Sequence, residues 1–190
     1  MNRVLILLLA SLTAVALLAT SADADVVEPG VRYTGEEELE FPSIGASFML
    51  PAGWIAMLPQ GADLLVMQNE ATGAYLFATG DEMTLAEAHG VMAAPIDLGD
   101  GVVLTPRGPV SREGNRLQNV YAVSGGEGPL FGFVSTIIGD AGIGVSFVGI
   151  APQNEKDAIM ETVGRVGLSL SLVRPVAPAP AAQSSDHASG

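Results

Sequence analysis

The chain has 190 residues, and its 21 acidic side chains outnumber its 8 basic ones, which gives a formal net charge of −13. A field of that sign repels nucleic acid and anionic lipid, so it argues against direct binding to either. The absence of cysteine excludes disulfides, thiolate metal sites and thiol nucleophiles. The length suits one domain of about 140 to 150 residues between two distinct ends.

Residues 1–24 are predicted to be a secretory signal peptide. Asn2-Arg3 gives a basic start, Val4–Ala19 is small and apolar, and Ala22-Asp23-Ala24 fits the A-x-A cleavage pattern. A single membrane anchor is the alternative, because the apolar run approaches the shortest length that spans a bilayer. The cleavage pattern favours the signal. We therefore expect an exported protein, periplasmic or extracellular, with no stable membrane insertion after cleavage behind Ala24.

Residues 25–43 are predicted to be an acidic, solvated lead-in to a domain that spans residues 44–173. Its densest part is Glu36-Glu37-Glu38-Leu39-Glu40. Clustered carboxylates can collect calcium, but the spaced oxygen ligands and the glycine turn of a dedicated loop are missing. A solvated, self-repelling segment is the favoured interpretation.

Three segments after the lead-in are predicted to be the first strands of one sheet. In Ala46–Leu50 the odd and even residues fall on opposite faces. Leu64–Met67 and Tyr75–Ala78 are apolar throughout, as expected of strands that are covered on both faces. These patterns predict a sheet with a layer packed over each side.

A helix is predicted directly after these strands. Thr84-Leu85-Ala86-Glu87 matches the capping box, in which the hydroxyl of Thr84 and the carboxylate of Glu87 each accept from the other residue's backbone amide. The helix runs to about Ala93, and its apolar stripe consists of Leu85, Ala88, Val91 and Met92.

The second half of the chain is predicted to be mostly strands. Gly114-Asn115 can supply the positive φ of a tight turn, so Arg112 and Arg116 would flank a hairpin tip. A glycine-rich turn joins two long β-rich runs, Leu130–Ile138 and Ile143–Ile150, into a second hairpin.

A C-terminal helix and a tail complete the predicted order. The helix opens at Pro152-Gln153-Asn154 and carries Ile159, Val163 and Val166 on one stripe. Residues 174–190 are rich in Pro, Ala and Ser, a composition that is typical of a disordered tail.

One segment and the order of elements resemble a known family. Phe48-Met49-Leu50-Pro51-Ala52-Gly53-Trp54 resembles the aromatic-x-Leu-Pro-x-Gly-Trp segment that opens domains of the PsbP-like superfamily, here as a secreted bacterial member. The match would span about Ile44 to Leu172. The resemblance implies a single α+β domain, with an antiparallel sheet sandwiched by helices, and a non-catalytic binding or assembly role. It assigns no functional residue, and we expect no cofactor.

Arg107, Arg112 and Arg116 are the candidate binding residues, together with Trp54. The arginines lie close together in an otherwise acidic chain, and guanidinium forks can grip a carboxylate or phosphate. The partner would then be a protein or a small anionic ligand. Solvated turn charges partnered by Glu113 are the competing interpretation. A sheet edge or a groove beside Trp54 is a further candidate surface.

A secreted hydrolase is the rival function. It would use His89 or an acidic pair, either Asp97 with Asp100 or Asp81 with Glu82. However, no G-x-S-x-G elbow presents a serine, and both pairs lie in predicted turns, where Asp is preferred for backbone reasons. We therefore expect that the protein is not an enzyme.

A metal carrier is the third function considered. Met49, Met57 and Met67 lie in the predicted opening strands, and thioethers are ligands that Cu(I) prefers. Methionine is also an ordinary filler of irregular cores. Core packing is the favoured interpretation, so no metal site is predicted.

Overall fold

The computed structural model describes residues 24–126 and 128–172. The predicted signal peptide, apart from Ala24, and the predicted C-terminal tail lie outside the described residues. Neither helix within the described ranges is long and apolar enough to cross a membrane.

The described residues form fourteen strands and two α-helices. The first strands are β1 (Asp25–Val26), β2 (Arg32–Thr34), β3 (Glu38–Phe41), β4 (Ala46–Met49), β5 (Ile55–Met57), β6 (Leu65–Asn69) and β7 (Ala74–Glu82). They are followed by α1 (Leu85–Met92), β8 (Ile96–Asp97), β9 (Val103–Pro106), β10 (Ser111–Glu113) and β11 (Arg116–Ser124). The last elements are β12 (Leu130–Ile138), β13 (Ile143–Pro152), α2 (Lys156–Ser169) and β14 (Ser171–Leu172).

The strands form two sheets, which confirms the predicted α+β class. The large sheet has ten antiparallel strands in the order β2-β5-β6-β7-β13-β12-β11-β9-β8, with β10 also paired to β11. The small sheet has the order β1-β3-β4-β14. The predicted strands Ala46–Leu50, Leu64–Met67 and Tyr75–Ala78 are confirmed as β4, β6 and β7, and the predicted long hairpin as β12 with β13.

The core is divided between the two faces of the large sheet. Phe133 and Phe147 point to the face that α2 and the small sheet cover, where they join one cluster with Ile159. Val134 and Val148 point to the opposite face and belong to a second cluster with residues of α1. Successive residues of a strand face opposite ways, so β12 and β13 contribute to both clusters.

The described residues cover the second face only in part, so the predicted sandwich between helices was overstated. The 14 residues of α2 pack on β12, β13 and β4, whereas the 8 residues of α1 pack on β11 and β12. Over β5 and β7, the side chains of Met57 and Tyr75 stay 43% and 39% exposed. α1 is short because Pro95 lacks an amide and disfavours helical backbone in the residue before it.

The segment predicted to be a solvated lead-in is part of the fold. Leu39 and Phe41 of β3 are fully buried, while Glu38 and Glu40 point away from the core. The segment is rich in glutamate, but every second residue of β3 is apolar, which is the pattern of a half-buried strand. The domain therefore begins before Ile44, contrary to the predicted boundary.

The predicted start of α1 is confirmed, but one residue of its apolar stripe is not buried. The hydroxyl of Thr84 accepts from the Glu87 amide at 3.2 Å, and the Glu87 carboxylate accepts from the Thr84 amide at 2.8 Å. Bonds from the backbone and the hydroxyl of Thr84 lower the pKa of Glu87. Ala88 and Met92 are buried as predicted, whereas Val91 is 60% exposed.

Candidate ligand-binding groove

The structure does not bring Arg112 and Arg116 together. Across the hairpin turn, Arg112 is paired with Leu117, and Arg116 is paired with Glu113. Directly opposite residues share a face of the sheet, whereas successive residues of a strand do not. The two arginine side chains therefore point to opposite faces, and the predicted joint grip on an anion was wrong.

The three arginines have different surroundings. Nη2 of Arg116 donates to the carbonyl of Gly167 at 3.2 Å, in the last turn of α2, where cations are favoured. Nε of Arg112 donates to the carbonyl of Gly114 at 2.8 Å, within its own hairpin. Arg107 follows β9 and is exposed. Arg116 therefore helps to hold α2 on the sheet, and Arg112 stabilises the hairpin turn.

Trp54 is a core residue. Its side chain is 5% exposed and lies in the cluster beneath α2. Its amide donates to the carbonyl of Pro51 at 3.1 Å, and Gly53 supplies the positive φ of 76° that this turn needs. The indole therefore has no open face for a ligand, and the predicted groove beside it was wrong.

The residues of the rival hydrolase are not combined into a site. His89 is exposed and lines an open pocket with apolar neighbours and an arginine, and no carboxylate of the described residues lines that pocket. The carboxylate of Asp97 accepts from the Gly99 amide at 2.9 Å, and that of Asp81 accepts from the Glu82 amide at 2.8 Å. These are backbone roles, as the preferred interpretation predicted, but Asp81 and Glu82 lie at the end of β7 and Asp97 at the end of β8, where turns were predicted.

The three methionines considered as metal ligands are also divided. Met67 is paired with Ala56 and Met57 with Val66, so the two methionine side chains point to opposite faces of the large sheet. Met67 is fully buried, whereas Met49 of the small sheet is 39% exposed. This arrangement fits ordinary packing in the core and at the surface. Met57 and Met67 cannot bind one metal ion together, because their side chains lie on opposite faces.

A groove of about 370 Å³ lies on the partly covered face of the large sheet and is the candidate functional site. We name it the α1 groove. α1 and the segment after it contribute Ala88, Val91, Met92, Ile96 and Leu98. The sheet contributes Phe77, Val134 and Val148, and Leu64 lies directly before β6. The volume lies within the range of small-molecule sites, and an apolar lining is typical of them.

Two buried side chains of β11 hold the end of α1 on the sheet. The hydroxyl of Tyr121 donates to the carbonyl of Met92 at 2.7 Å, and the amide nitrogen Nδ2 of Asn119 donates to the same carbonyl at 3.0 Å. That carbonyl is one of the last four of the helix, which have no partner within the helix. The helical wall of the α1 groove is therefore fixed by specific hydrogen bonds.

Tyr121 makes the stability of this arrangement dependent on pH. Burial raises its pKa to about 12, against the opposing effect of the hydrogen bond with Asn119. A tyrosine of the unfolded chain ionises near pH 10, so between about pH 10 and 12 the unfolded chain holds fewer protons than the folded protein. The contribution of Tyr121 to stability is thus complete below pH 10 and is lost as pH rises through 12.

We therefore expect the free energy of unfolding of the wild type to fall more steeply between about pH 10 and 12 than that of Tyr121→Phe. Urea unfolding at a series of pH values measures both slopes. Parallel curves for the two proteins would show that the phenol is not held neutral in the folded protein.

The floor of the α1 groove carries a small group of hydroxyl side chains. The hydroxyl oxygens of Thr136 and Ser146 lie 2.9 Å apart, so one donates to the other. The hydroxyl that accepts keeps its own hydrogen, which is free to donate to a bound group. Thr79 lies directly opposite Ser146 on β7, and Asp81 lines one end of the groove.

The α1 groove was not predicted from the sequence, although a signal was present. Thr79, Thr136 and Ser146 are polar residues in strands whose neighbours are apolar, and pairing places them side by side on one face. Polar positions in otherwise buried strands indicate a surface that water or a ligand reaches. Asp81, at the polar end of β7, lies on the same face of the sheet.

The structure is similar to solved structures of known proteins. Cyanobacterial PsbP (CyanoP) from Synechocystis has a TM-score of 0.50 and 16% identity, over 75% of this chain and 91% of that chain. A mutant of the protein Mog1 has a TM-score of 0.52 and 11% identity, over 74% of this chain and 97% of that chain. The Ran-binding protein Mog1p from Saccharomyces cerevisiae has a TM-score of 0.47 and 12% identity, over 74% and 97%.

No protein-family model and no curated protein sequence matches the chain. At identities of 16% and 11%, the likeness to the solved structures concerns the fold alone. It confirms the resemblance that the sequence indicated: the protein adopts the PsbP-like fold that it shares with CyanoP and Mog1.

Proposed function

We propose that the protein is a non-catalytic binding module of the bacterial cell envelope or medium, and that the α1 groove binds an apolar small molecule. The signal-like pattern of residues 1–24 supports export. The PsbP-like fold supports a binding or assembly role, because the resemblance to that superfamily implies one. The α1 groove supplies the binding surface.

The observation that carries the proposal is the apolar surface left open beside α1. Val91 and Leu98 are 60% and 40% exposed at the rim, above the buried Met92, Val134 and Val148. Covering apolar surface is favourable by roughly 25 cal/mol per Å². An apolar groove with a few hydroxyl groups on its floor suits a ligand that is mostly hydrocarbon.

An apolar segment of a protein partner is the competing occupant of the α1 groove. We favour a small molecule because the groove has walls and a floor, formed by α1, β7 and the central strands, rather than a flat apolar face. Protein interfaces of stable complexes bury about 800 Å² on each partner, and the exposed apolar residues here form a much narrower set. Titration with an apolar fluorophore distinguishes a small molecule from a protein segment as the occupant.

Thr79→Trp is expected to weaken binding of N-phenylnaphthylamine, a neutral apolar fluorophore, by about tenfold or more, which corresponds to about 1.4 kcal/mol of lost contact. Thr79 is half-buried and lines the groove, so an indole at this position projects into the space that the fluorophore needs. A strand accepts tryptophan readily. Fluorescence titration of wild type and variant measures the two dissociation constants.

Thr105→Trp is the matched control. Thr105 is an exposed residue of β9 and does not line the α1 groove, so its replacement should leave the affinity unchanged. Circular dichroism of both variants reports whether the fold is intact. A folded Thr79→Trp that binds the fluorophore as tightly as wild type would contradict the proposal. A wild type that does not bind it would favour the protein partner.

A further inference from the structure

A carboxylate lines the α1 groove where its apolar lining ends. Asp81 lines the groove and is exposed, near the end of β7. Glu82 is the next residue of the strand, so its side chain points to the opposite face of the sheet. Asp97 lies between the lining residues Ile96 and Leu98 but does not line the groove, and its carboxylate accepts from the Gly99 amide. Among the described residues, Asp81 is therefore the acidic side chain that a ligand in the groove would meet.

The positive charges of the described residues lie elsewhere. Arg32 is paired with Glu70 at 3.5 Å, on the far strands of the sheet. Arg116 donates to the carbonyl of Gly167 beneath α2, and Lys156 begins α2 itself, on the opposite face. Within the described ranges, no arginine or lysine lines the α1 groove. The carboxylate of Asp81 is thus not neutralised by a lining cation.

The interior of the groove has no place for a charged group. Its polar side chains away from the mouth are those of Thr79, Thr136 and Ser146, and the last two bond to each other. An ion moved into such an apolar space without a partner loses its hydration, which is strongly unfavourable. Any charge on a ligand must therefore stay at the mouth. There, one oxygen of Asp81 accepts from the Glu82 amide at 2.8 Å, which orients the carboxylate and leaves its other oxygen free.

The length of the groove suits a short hydrocarbon chain. Phe77, Thr79 and Asp81 are alternate residues of β7 and all line the groove, so they follow one face of the strand. At about 3.3 Å per residue, the distance from Phe77 to Asp81 is about 13 Å. An extended decyl chain matches this distance, with its end group beside Asp81.

We infer that the α1 groove binds cationic amphiphiles, in which an apolar chain lies along Phe77 and Thr79 and an amine or ammonium group lies beside Asp81. The inference rests on the proposed function and names the class of its ligand. An anionic head group at this mouth would meet the carboxylate of Asp81. A neutral head group would be tolerated without being attracted.

The charge of Asp81 selects among ligands by a modest factor, because this side chain is exposed. Exposed ion pairs change an equilibrium by about twofold to fivefold. We therefore expect a cationic amphiphile to bind about twofold to fivefold more tightly than a neutral one with the same chain, and an anionic one to bind about as much more weakly. Salt screens charges over about 10 Å at 0.1 M ionic strength, so these differences should shrink as salt is added.

The experiment compares three ligands with one decyl chain: decyltrimethylammonium, decanol and decanoate. Each is titrated, below its micelle concentration, against the full chain with N-phenylnaphthylamine bound, and displacement gives its dissociation constant. Asp81→Asn is the test variant. Asp157→Asn is its matched control, because Asp157 is an exposed residue of α2 on the opposite face.

We expect decyltrimethylammonium to bind most tightly and decanoate most weakly. Asp81→Asn should weaken decyltrimethylammonium binding about twofold to fivefold and leave decanol binding unchanged, while Asp157→Asn changes neither. The inference would be overturned if decanoate bound as tightly as decanol, or if Asp81→Asn kept the full preference for the cation. Binding of decanol would still support the proposed function in either case. Failure of all three ligands to bind would overturn both.

Discussion

Phe147→Ala is expected to lower the free energy of unfolding by about 3–5 kcal/mol. Phe147 is fully buried on β13, and its ring meets that of Phe48 edge to face, with centroids 5.3 Å apart and an interplanar angle of 87°. Because Phe48 belongs to β4, this pair joins the small sheet to the large one. Truncation leaves a cavity between two sheets that cannot both close over it. Urea unfolding followed by circular dichroism measures the loss.

Phe77→Ala is the matched comparison for Phe147→Ala. It removes the same atoms from the same sheet, but Phe77 is half-buried and lies on the face with the α1 groove. Less apolar surface returns to water, so we expect a loss of about 1–2 kcal/mol. Equal losses for Phe77→Ala and Phe147→Ala would contradict the distinction between one closed and one partly open face.

Gly149→Ala is expected to destabilise the fold by about 1–3 kcal/mol, because it overpacks the contact between α2 and β13. A Cβ at Gly149 would lie 2.7 Å from Cγ1 of Ile159 and 2.9 Å from Cγ2 of Val163. The backbone of Gly149 does not have a positive φ, so the loss would come from crowding and not from backbone strain. This glycine therefore allows α2 to approach the sheet closely.

Two further variants test that explanation. Gly164→Ala, at a helical position where a Cβ would meet nothing within 4 Å, should stabilise the protein by about 1 kcal/mol. Ile159→Ala removes the atom closest to the new methyl group, so the double variant with Gly149→Ala should be more stable than the sum of the two single losses predicts. Strictly additive losses would show that Gly149 and Ile159 are not coupled.

Local chemistry accounts for the elements that the sequence predicted well. The capping box of Thr84 and Glu87 satisfies helix-terminal amides within four residues of chain, so no distant contact is needed to start α1. Gly114-Asn115 and the glycine-rich turn between β12 and β13 set their hairpins in the same local way. The resemblance of the segment around Trp54 to PsbP-like domains then indicated the fold.

The features that the sequence did not predict depend on which face of a strand is covered. The turn signal correctly placed Arg112 and Arg116 on either side of one hairpin tip, but the pairing of Arg112 with Leu117 puts their side chains on opposite faces of the sheet. The acidic charge around Leu39 and Phe41 concealed their alternation. The candidate site arises in the same way, because it depends on how far a two-turn helix extends over a wide sheet. No local pattern reports that extent.

Methyl chemical shifts of the isotope-labelled protein, recorded during titration with decanol, test the central claim most directly. If the open face beside α1 is the binding surface, the methyl groups of Val91, Met92, Val134 and Val148 will shift, and those of Val163 in α2, on the opposite face, will not. Shifts confined to the surroundings of Val163, or to the hairpin that carries Arg112, would contradict the account.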